Sequence, residues 1–358
     1  YKIGDSFSEI YGLNDPIIGI NITPNRSDCL SVRGIARDLA ATGLGNLKNL
    51  EIKKIKGNFN SHIKWQRKFK KDEEKLCPGV SGRLFKNVKN VESPDWLKKN
   101  LLAIGLRPIS ALVDITNYIT FDLGRPLHVY DADKLNGNLS MRLATEGEKC
   151  KTLDEKEYIL SNDMVVIADD TKLHGIGGVM GGLDSCCTMD TTNVFLEVAL
   201  FDSICVTKTG RKINLQSDAR FRFERGIDST SIDWGVDKAT EIILGLCGGE
   251  VSEITTDQSI EHTKKIIEYD FNKTKTLGGI DIDLNRQIKI LENLGFVIKS
   301  QKNEFIIIEV PHFRPDIDGV ADIVEEVVRI CGYDKIKPKS VIKDPRIKKE
   351  ILNGKLKS

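Results

Sequence analysis

The sequence predicts an α+β protein built from several domains, the middle one a mixed α/β unit. Three observations carry this. The chain has 358 residues, 40% of them hydrophobic, enough for about two or three cores. Short apolar strand candidates at 80–85, 139–143, 164–168 and 194–198 crowd its middle, with few long helices between them. Helix-periodic stretches end at Gly43 and Gly295, and a third covers 320–331.

Residues 1–45 read as strand then helix. Ile17–Ile22 is apolar and β-branched, which favours a strand, and the TPNRSD that follows is turn chemistry. Val32, Ile35, Ala36 and Leu39 then recur at helical spacing, and Gly43 marks the end. Residues 48–75 hold ten Lys/Arg against four Asp/Glu, with Trp65 and Phe69 among the lysines. Phosphate attraction and ring stacking would make this an RNA-facing connector; a solvated linker is the preferred reading. The first domain with this linker is placed at 1–76.

The middle domain is placed at 77–260. It opens a helix with Ser93 as N-cap, Pro94 in the first helical position and Gly105 at the end. GIGGVMGG, 175–182, interrupts the strands and reads as close approach of backbone to a ligand or neighbour. SDARFRFERGID, 217–228, alternates aromatic and charged residues like a strand; its arginines pair internally or contact RNA phosphate. A third domain, 261–337, carries a helix with Leu284, Ile288, Leu291 and Leu294, a strand FIIIEV at 305–310, and an acidic helix. Residues 338–358, lysine-rich with Pro338 and Pro345, read as a linker or a disordered tail.

Several function classes are disfavoured. The net charge is +1, so no global basic field advertises nucleic-acid binding. No apolar run reaches the roughly 18–20 residues of a membrane span, and the start lacks the features of a signal peptide. A first residue other than Met suits a piece of a longer chain. The eight cysteines form no CxxC pair and read as free, mostly buried thiols of a reducing compartment. The five histidines are scattered, which speaks against zinc. There is no GxSxG, HExxH or Walker loop, and GIGGVMGG lacks the dinucleotide spacing.

Two constellations could carry chemistry. On the acidic helix, Asp322, Glu325, Glu326 and Arg329 form one polar stripe, and Asp316 lies six residues before Asp322. Such carboxylates could bind Mg²⁺ through oxygen; spacing alone favours a solvated face with a Glu325–Arg329 pair. Thr116 and Asn117 precede His128 by twelve and eleven residues. They could orient a water or hydroxyl beside the imidazole, although a structural histidine is the plainer reading.

Six strings in order are specific together: ITPNRSDCLSVRGIARDLA, GLRPISALVDITNYITFDLGRPLHVYDADKL, GIGGVMGG, FLEVALF, ARFRFERGID and RPDIDGVADIVEEVVRICGYDKI. The chain resembles the bacterial phenylalanyl-tRNA synthetase beta subunits across roughly 1–337. The resemblance implies an oligonucleotide-binding domain missing before Tyr1, and synthetase-like and anticodon-binding domains missing after Ser358. It implies small helical, DNA-binding-like domains flanking an editing domain that hydrolyses tyrosine wrongly attached to tRNA(Phe). In that domain Thr116, Asn117 and His128 would hold the ester and a water. Arg107, Pro126, Gly177, Gly178, Gly181, Glu197, Ser217 and Ala219 would bind substrate, with Glu197 accepting from the tyrosine hydroxyl. Gly177 stands where the family usually has Ala, which would loosen the pocket. Asp316, Asp322, Glu325 and Glu326 match magnesium ligands of the full complex; without the alpha subunit weak or no metal is expected there, with these side chains exposed or paired to Arg314 and Arg329. The implied enzyme is a cytoplasmic α₂β₂ assembly that uses ATP and Mg²⁺ to esterify phenylalanine, with activation on the alpha subunit. No membrane, haem or zinc is expected. The rival readings are a non-catalytic RNA-binding scaffold with a decayed pocket, and a metal-dependent phosphotransferase.

Overall fold

In the computed structural model, which describes residues 2–12, 14–302 and 304–338, the middle of the chain is two sheets and a helical layer. The first sheet runs Glu250–Val251, Gly79–Lys86, Val194–Leu200 and His128–Asp131, with Thr255–Gln258 also paired to Gly79–Lys86. The second runs Trp65–Arg67, Leu139–Leu143, Val165–Ala168, Leu173–Ile176 and Met180–Gly181. The four strand candidates therefore form strands, as their β-branched content favours.

The Val194–Leu200 strand is buried along its whole length, because both of its faces are covered. Phe195 and Ala199 join Trp65, Met141, Val166 and Ile176 in the core between the sheets. Val194, Leu196 and Val198 meet the helices Asp95–Ala103, Ala111–Leu123 and Ser231–Cys247 through Leu97, Leu112, Ile115 and Val236. Each such buried side chain contributes about 1.5–3 kcal/mol before entropy.

Several elements differ from the sequence reading. Ile17–Ile22 is not a strand: it pairs with nothing among the described residues, and Ile17, Ile18 and Ile20 are exposed. Strand propensity forms no ladder without a neighbour. The 58–69 stretch is not a linker. Trp65 is only 4% exposed and packs 5.3 Å from Phe195, while Ile63 and the partly buried Phe69 join the same core. The signal was present as alternation, with Ile63 and Trp65 inward and His62 and Lys64 outward. Ser93 does not cap its helix; it donates to Asp114 at 2.6 Å, and Pro94 takes the cap position. The 217–228 segment is a helix, Asp218–Phe223, because the Ser217 hydroxyl accepts from the Arg220 N–H and starts a turn.

The third unit is mixed rather than helical. A sheet ordered Ile266–Asp270, Phe305–Glu309, Val297–Lys302 packs on the helices Leu284–Asn293 and Val320–Cys331. The helix Val32–Thr42, ended by Gly43 in the left-handed conformation, adds Ala41 to this core. The side expected to be buried is not: Val32 and Leu39 are exposed, while Gly34, Ala40 and Ala41 face inward. The junction is a buried ion network. Arg26 binds Asp28 at 2.9 Å and Asp38 at 2.8 Å. Arg329 binds Asp38 at 2.6 Å and Glu326 at 2.8 Å, and Arg314 binds Glu326 at 2.6 Å. The charges are mutually satisfied, which a buried network requires.

The eight cysteines are all free, six of them buried. No helix among the described residues is long and apolar enough to cross a membrane. Residues 339–358, most of the lysine-rich tail, lie outside the described residues.

Candidate active site

Strand periodicity assembles the site. Phe195 pairs with Tyr130, and Glu197 with His128, across the antiparallel strands. Opposed residues share a face, so all four project between the two sheets. A cavity of about 80 Å³ lies there, the space of several waters at ~10–15 Å³ each. His128, Tyr130 and Glu197 supply its polar groups, and Ile167, Ile176, Met180, Phe201 and Phe223 supply apolar wall. Pro126, Leu127, Gly178, Val179, Gly181 and Ala219 complete it. Larger clefts exist, but the arginines of the 520 Å³ one are committed internally: Arg33 to the Lys48 carbonyl, Arg37 to Asp28 and Arg222 to the Leu30 carbonyl.

Glu197 is the costly group. It sits in an apolar core, and its Oε2 accepts from the Tyr130 hydroxyl. Oε1 has no hydrogen-bond partner among the described residues and, unlike His128 Nε2, is not sealed from solvent, so it opens to the cavity. Burial pushes its carboxyl up to about 7, held back by the Tyr130 hydrogen bond and the Arg125 charge. His128 is pulled down to about 4 by burial, with His174 adding to the shift. Its Nε2 is shielded from solvent and unpartnered, so at neutral pH the ring is neutral with a free nitrogen.

The glycine-rich stretch makes this approach possible. Leu173–Ile176 and Met180–Gly181 form a hairpin turned at Gly178, whose φ is +69°. A Cβ at Gly181 would lie 2.4 Å from the His128 ring. A Cβ at Gly177 would lie 2.8 Å from Phe201 and from Val165. Gly177 does not line the cavity; it keeps Phe201, which does, from being displaced.

The other expected residues are placed differently. Ser217 caps the Asp218–Phe223 helix and donates at 2.5 Å to the carbonyl of Val179, a wall residue. Thr116 spends its hydroxyl on the Val113 carbonyl at 2.7 Å. Thr116, Asn117 and the exposed Arg107 do not line the cavity. The helix Ala111–Leu123 buries its apolar side on the opposite face of the Val194–Leu200 strand, which separates Thr116 and Asn117 from His128.

The sequence reading missed Tyr130 and the pair behind it. The fully buried His174 meets Asp169 at 2.7 Å. Asp169 also accepts N–H groups of Asn136, Thr171 and Lys172. Burial alone would raise the Asp169 carboxyl, but these bonds, led by His174, hold it well below the usual range. The His174 ring lies 6.2 Å from that of Tyr130. His128-x-Tyr130 in a strand was the available signal, since alternate residues share a face.

The acidic helix does not present a magnesium site. Arg314 grips Asp316 at 2.8 Å with two nitrogens and Glu326 with a third. Asp322 accepts from the Asp318 and Gly319 N–H groups at 2.7 and 2.8 Å as a helix cap, and Glu325 is exposed. The expected Glu325–Arg329 pair is replaced by Arg329 with Glu326 and Asp38. Asp316, Asp322 and Glu326 already have cations or N–H donors, and Glu325 stands apart as an exposed side chain, so among the described residues the four do not converge on an ion. Among the described residues, three potential ligand atoms converge only at Asp28, Cys29 and Asp38, and the Arg26 guanidinium bonds all three.

The B3/4 domain family matches residues 76–248, the span that holds the cavity, and the tRNA synthetase B5 domain family matches 267–333. A phenylalanine–tRNA ligase beta subunit from Mesorhizobium japonicum is 47% identical over 98% of this chain and 43% of its own length. One from Paramagnetospirillum magneticum is 46% identical over 98% of this chain and 44% of its own. The chain thus spans less than half the length of these relatives. A solved N-terminal fragment of the phenylalanyl-tRNA synthetase beta-subunit from Pyrococcus horikoshii aligns with a TM-score of 0.44 and 16% identity, over 87% of this chain and 85% of that one, too distant a likeness to carry an argument. By sequence, the chain belongs to the family of phenylalanine–tRNA ligase beta subunits.

Proposed function

We propose that the cavity between the sheets takes the side chain of tyrosine, and that the chain hydrolyses tyrosine wrongly esterified to tRNA(Phe). The observation that carries this is Glu197, a buried carboxylate in an apolar wall with one oxygen unpaired. A para-hydroxyl would satisfy that oxygen. Phenylalanine would leave it buried and unmatched, a penalty of about 1–3 kcal/mol.

His128 binds and orients rather than acting as a strong base. A group with a pKa of about 4 is a poor proton acceptor at neutral pH, but its neutral Nε2 can accept a hydrogen bond from a water or from the amino group. Water then adds to the ester carbonyl and the acyl–oxygen bond breaks. Tyrosine leaves as the free acid, and the proton returns to the tRNA hydroxyl. Thr116, its hydroxyl committed to the Val113 carbonyl, and Asn117 lie across the sheet from the cavity and touch no part of the ester in this reading.

Within the longer protein the chain is part of a cytoplasmic α₂β₂ ligase that uses ATP and Mg²⁺ to attach phenylalanine to tRNA(Phe). Activation belongs to the alpha subunit, and no step of it is assigned to the residues described above. The test is deacylation by the purified chain. Tyr-tRNA(Phe) should be cleaved faster than Phe-tRNA(Phe), and His128→Ala and Glu197→Ala should each abolish the difference. Equal rates for the two esters would refute the reading.

A further inference from the structure

Tyr130 is a second phenol already inside the cavity that is proposed to recognise a phenol. It is 1% exposed and lines the wall. Its ring is wedged edge-on against His128 at 4.6 Å and His174 at 6.2 Å, with Trp65 at 6.4 Å. The ring therefore has a fixed direction, and its hydroxyl donates to Glu197 Oε2.

We propose that Tyr130 is a specificity-determining residue: its phenol holds Oε2 of Glu197 and leaves Oε1 as the carboxylate's one open acceptor, aimed at the para-hydroxyl of an entering aromatic ring. This rests on the reading of the cavity as a tyrosine-recognising site. A carboxylate with both oxygens open would turn toward any donor and recruit water. Held by one oxygen, it presents the other in one direction, and orientation of a buried acceptor is what separates a hydroxylated ring from a bare one.

The same bond controls charge. The groups facing Glu197 are Tyr130 and His128 from the adjoining strand, Arg125 just ahead of that strand, and Cys77 just before Gly79–Lys86, with His174 behind Tyr130. Arg125 is the one permanent cation among them. It donates to the Ala199 carbonyl, while its Nε and Nη1 lack partners. Tyr130 is the direct hydrogen-bond donor that stabilises the ionised carboxylate. Without it, Glu197 would stay protonated to higher pH and would accept the substrate hydroxyl less strongly.

The test compares the chain with its Tyr130→Phe variant, which keeps the ring and removes the hydroxyl. Free tyrosine and free phenylalanine are titrated by calorimetry from pH 6 to 9. The unmodified chain should prefer tyrosine by about tenfold above pH 8, with the preference rising through the titration of Glu197. In Tyr130→Phe the midpoint of that rise should move up by about one pH unit. Preference for tyrosine with an unmoved midpoint in the variant overturns the role of Tyr130 and leaves the cavity reading intact. No preference in the unmodified chain overturns the cavity reading itself. If Tyr130→Phe does not fold, 3-fluorotyrosine incorporation replaces it. The more acidic phenol should lower the Glu197 midpoint, read from the carboxyl carbon resonance, and an unmoved resonance contradicts the proposal.

Discussion

Glu197 and Glu326 are both buried glutamates, and they are treated in opposite ways. Glu326, 2% exposed, is met by Arg314 and Arg329. Burial alone would raise its carboxyl, but those arginines more than offset it and the group is held below its usual range. Glu197, 7% exposed, receives one phenol and no direct cation, and burial wins. An acid whose charge is fully answered fastens one unit to another. An acid left with an unanswered oxygen in an apolar wall is an expense that packing alone does not explain, and such groups concentrate at functional sites.

The contrast is broken most forcefully from the Glu326 side. Glu326→Ala leaves Arg314 and Arg329 buried with reduced compensation, and should cost about 3–5 kcal/mol in denaturant unfolding. A change near zero would mean that the ion network is not what joins the Val32–Thr42 helix to the third unit. Gly181→Ala drives a methyl toward the His128 ring and should cost about 1–3 kcal/mol and weaken tyrosine binding. Unchanged binding would remove His128 from the site.

Glu197→Gln should have the opposite sign to Glu326→Ala. A neutral amide avoids burying a charge, so at pH 8 the variant should gain roughly 1–2 kcal/mol of stability while losing preference for tyrosine. The pH dependence follows. With Glu197 raised from 4.5 to about 7, the native state holds more protons than the unfolded state, so this group's contribution falls as pH rises from 4.5 to 7. With His128 lowered from 6.5 to about 4, the native state holds fewer, so its contribution rises with pH from 4 to 6.5. The two nearly cancel in the unmodified chain. Relative to it, Glu197→Gln should add an upward slope of stability between pH 4.5 and 7, and His128→Asn a downward one between pH 4 and 6.5. Parallel profiles for all three would show that these groups titrate normally.

Much of this contrast was legible in the sequence, and its limits are physical. FLEVALF places Glu197 in an apolar strand beside Phe195, and the helix ends at Gly43 and Gly295 follow from local chemistry. The acidic stripe is legible, and so is its pairing with Arg314 and Arg329 in the absence of the alpha subunit; that it is Glu326 that meets both arginines depends on a loop twelve residues away, which helical spacing does not encode. The alternation of 217–228 favoured a strand because its signal is the side-chain pattern, whereas the Ser217 cap decided the outcome. Tyr130 is not legible locally because its partner lies on another strand, 67 residues on. Thr116 and Asn117 lie close to His128 in the chain, whereas the sheet between them separates their faces.

The smallest expected effect is at Gly177. Gly177→Ala places a methyl 2.8 Å from Phe201 and from Val165 and should cost about 1 kcal/mol, the low end for an added methyl, with tyrosine bound more weakly as Phe201 shifts. Tighter binding would mean that the glycine loosens the pocket after all.

At the centre of the site is the unanswered oxygen of Glu197 and its recognition of a hydroxyl. Calorimetric titration of the chain at pH 8 with tyrosine and with phenylalanine measures this without tRNA or a partner subunit. Tyrosine should bind more tightly by about 1–3 kcal/mol, and Glu197→Gln should erase most of the difference. Equal affinities in the unmodified chain would contradict the account.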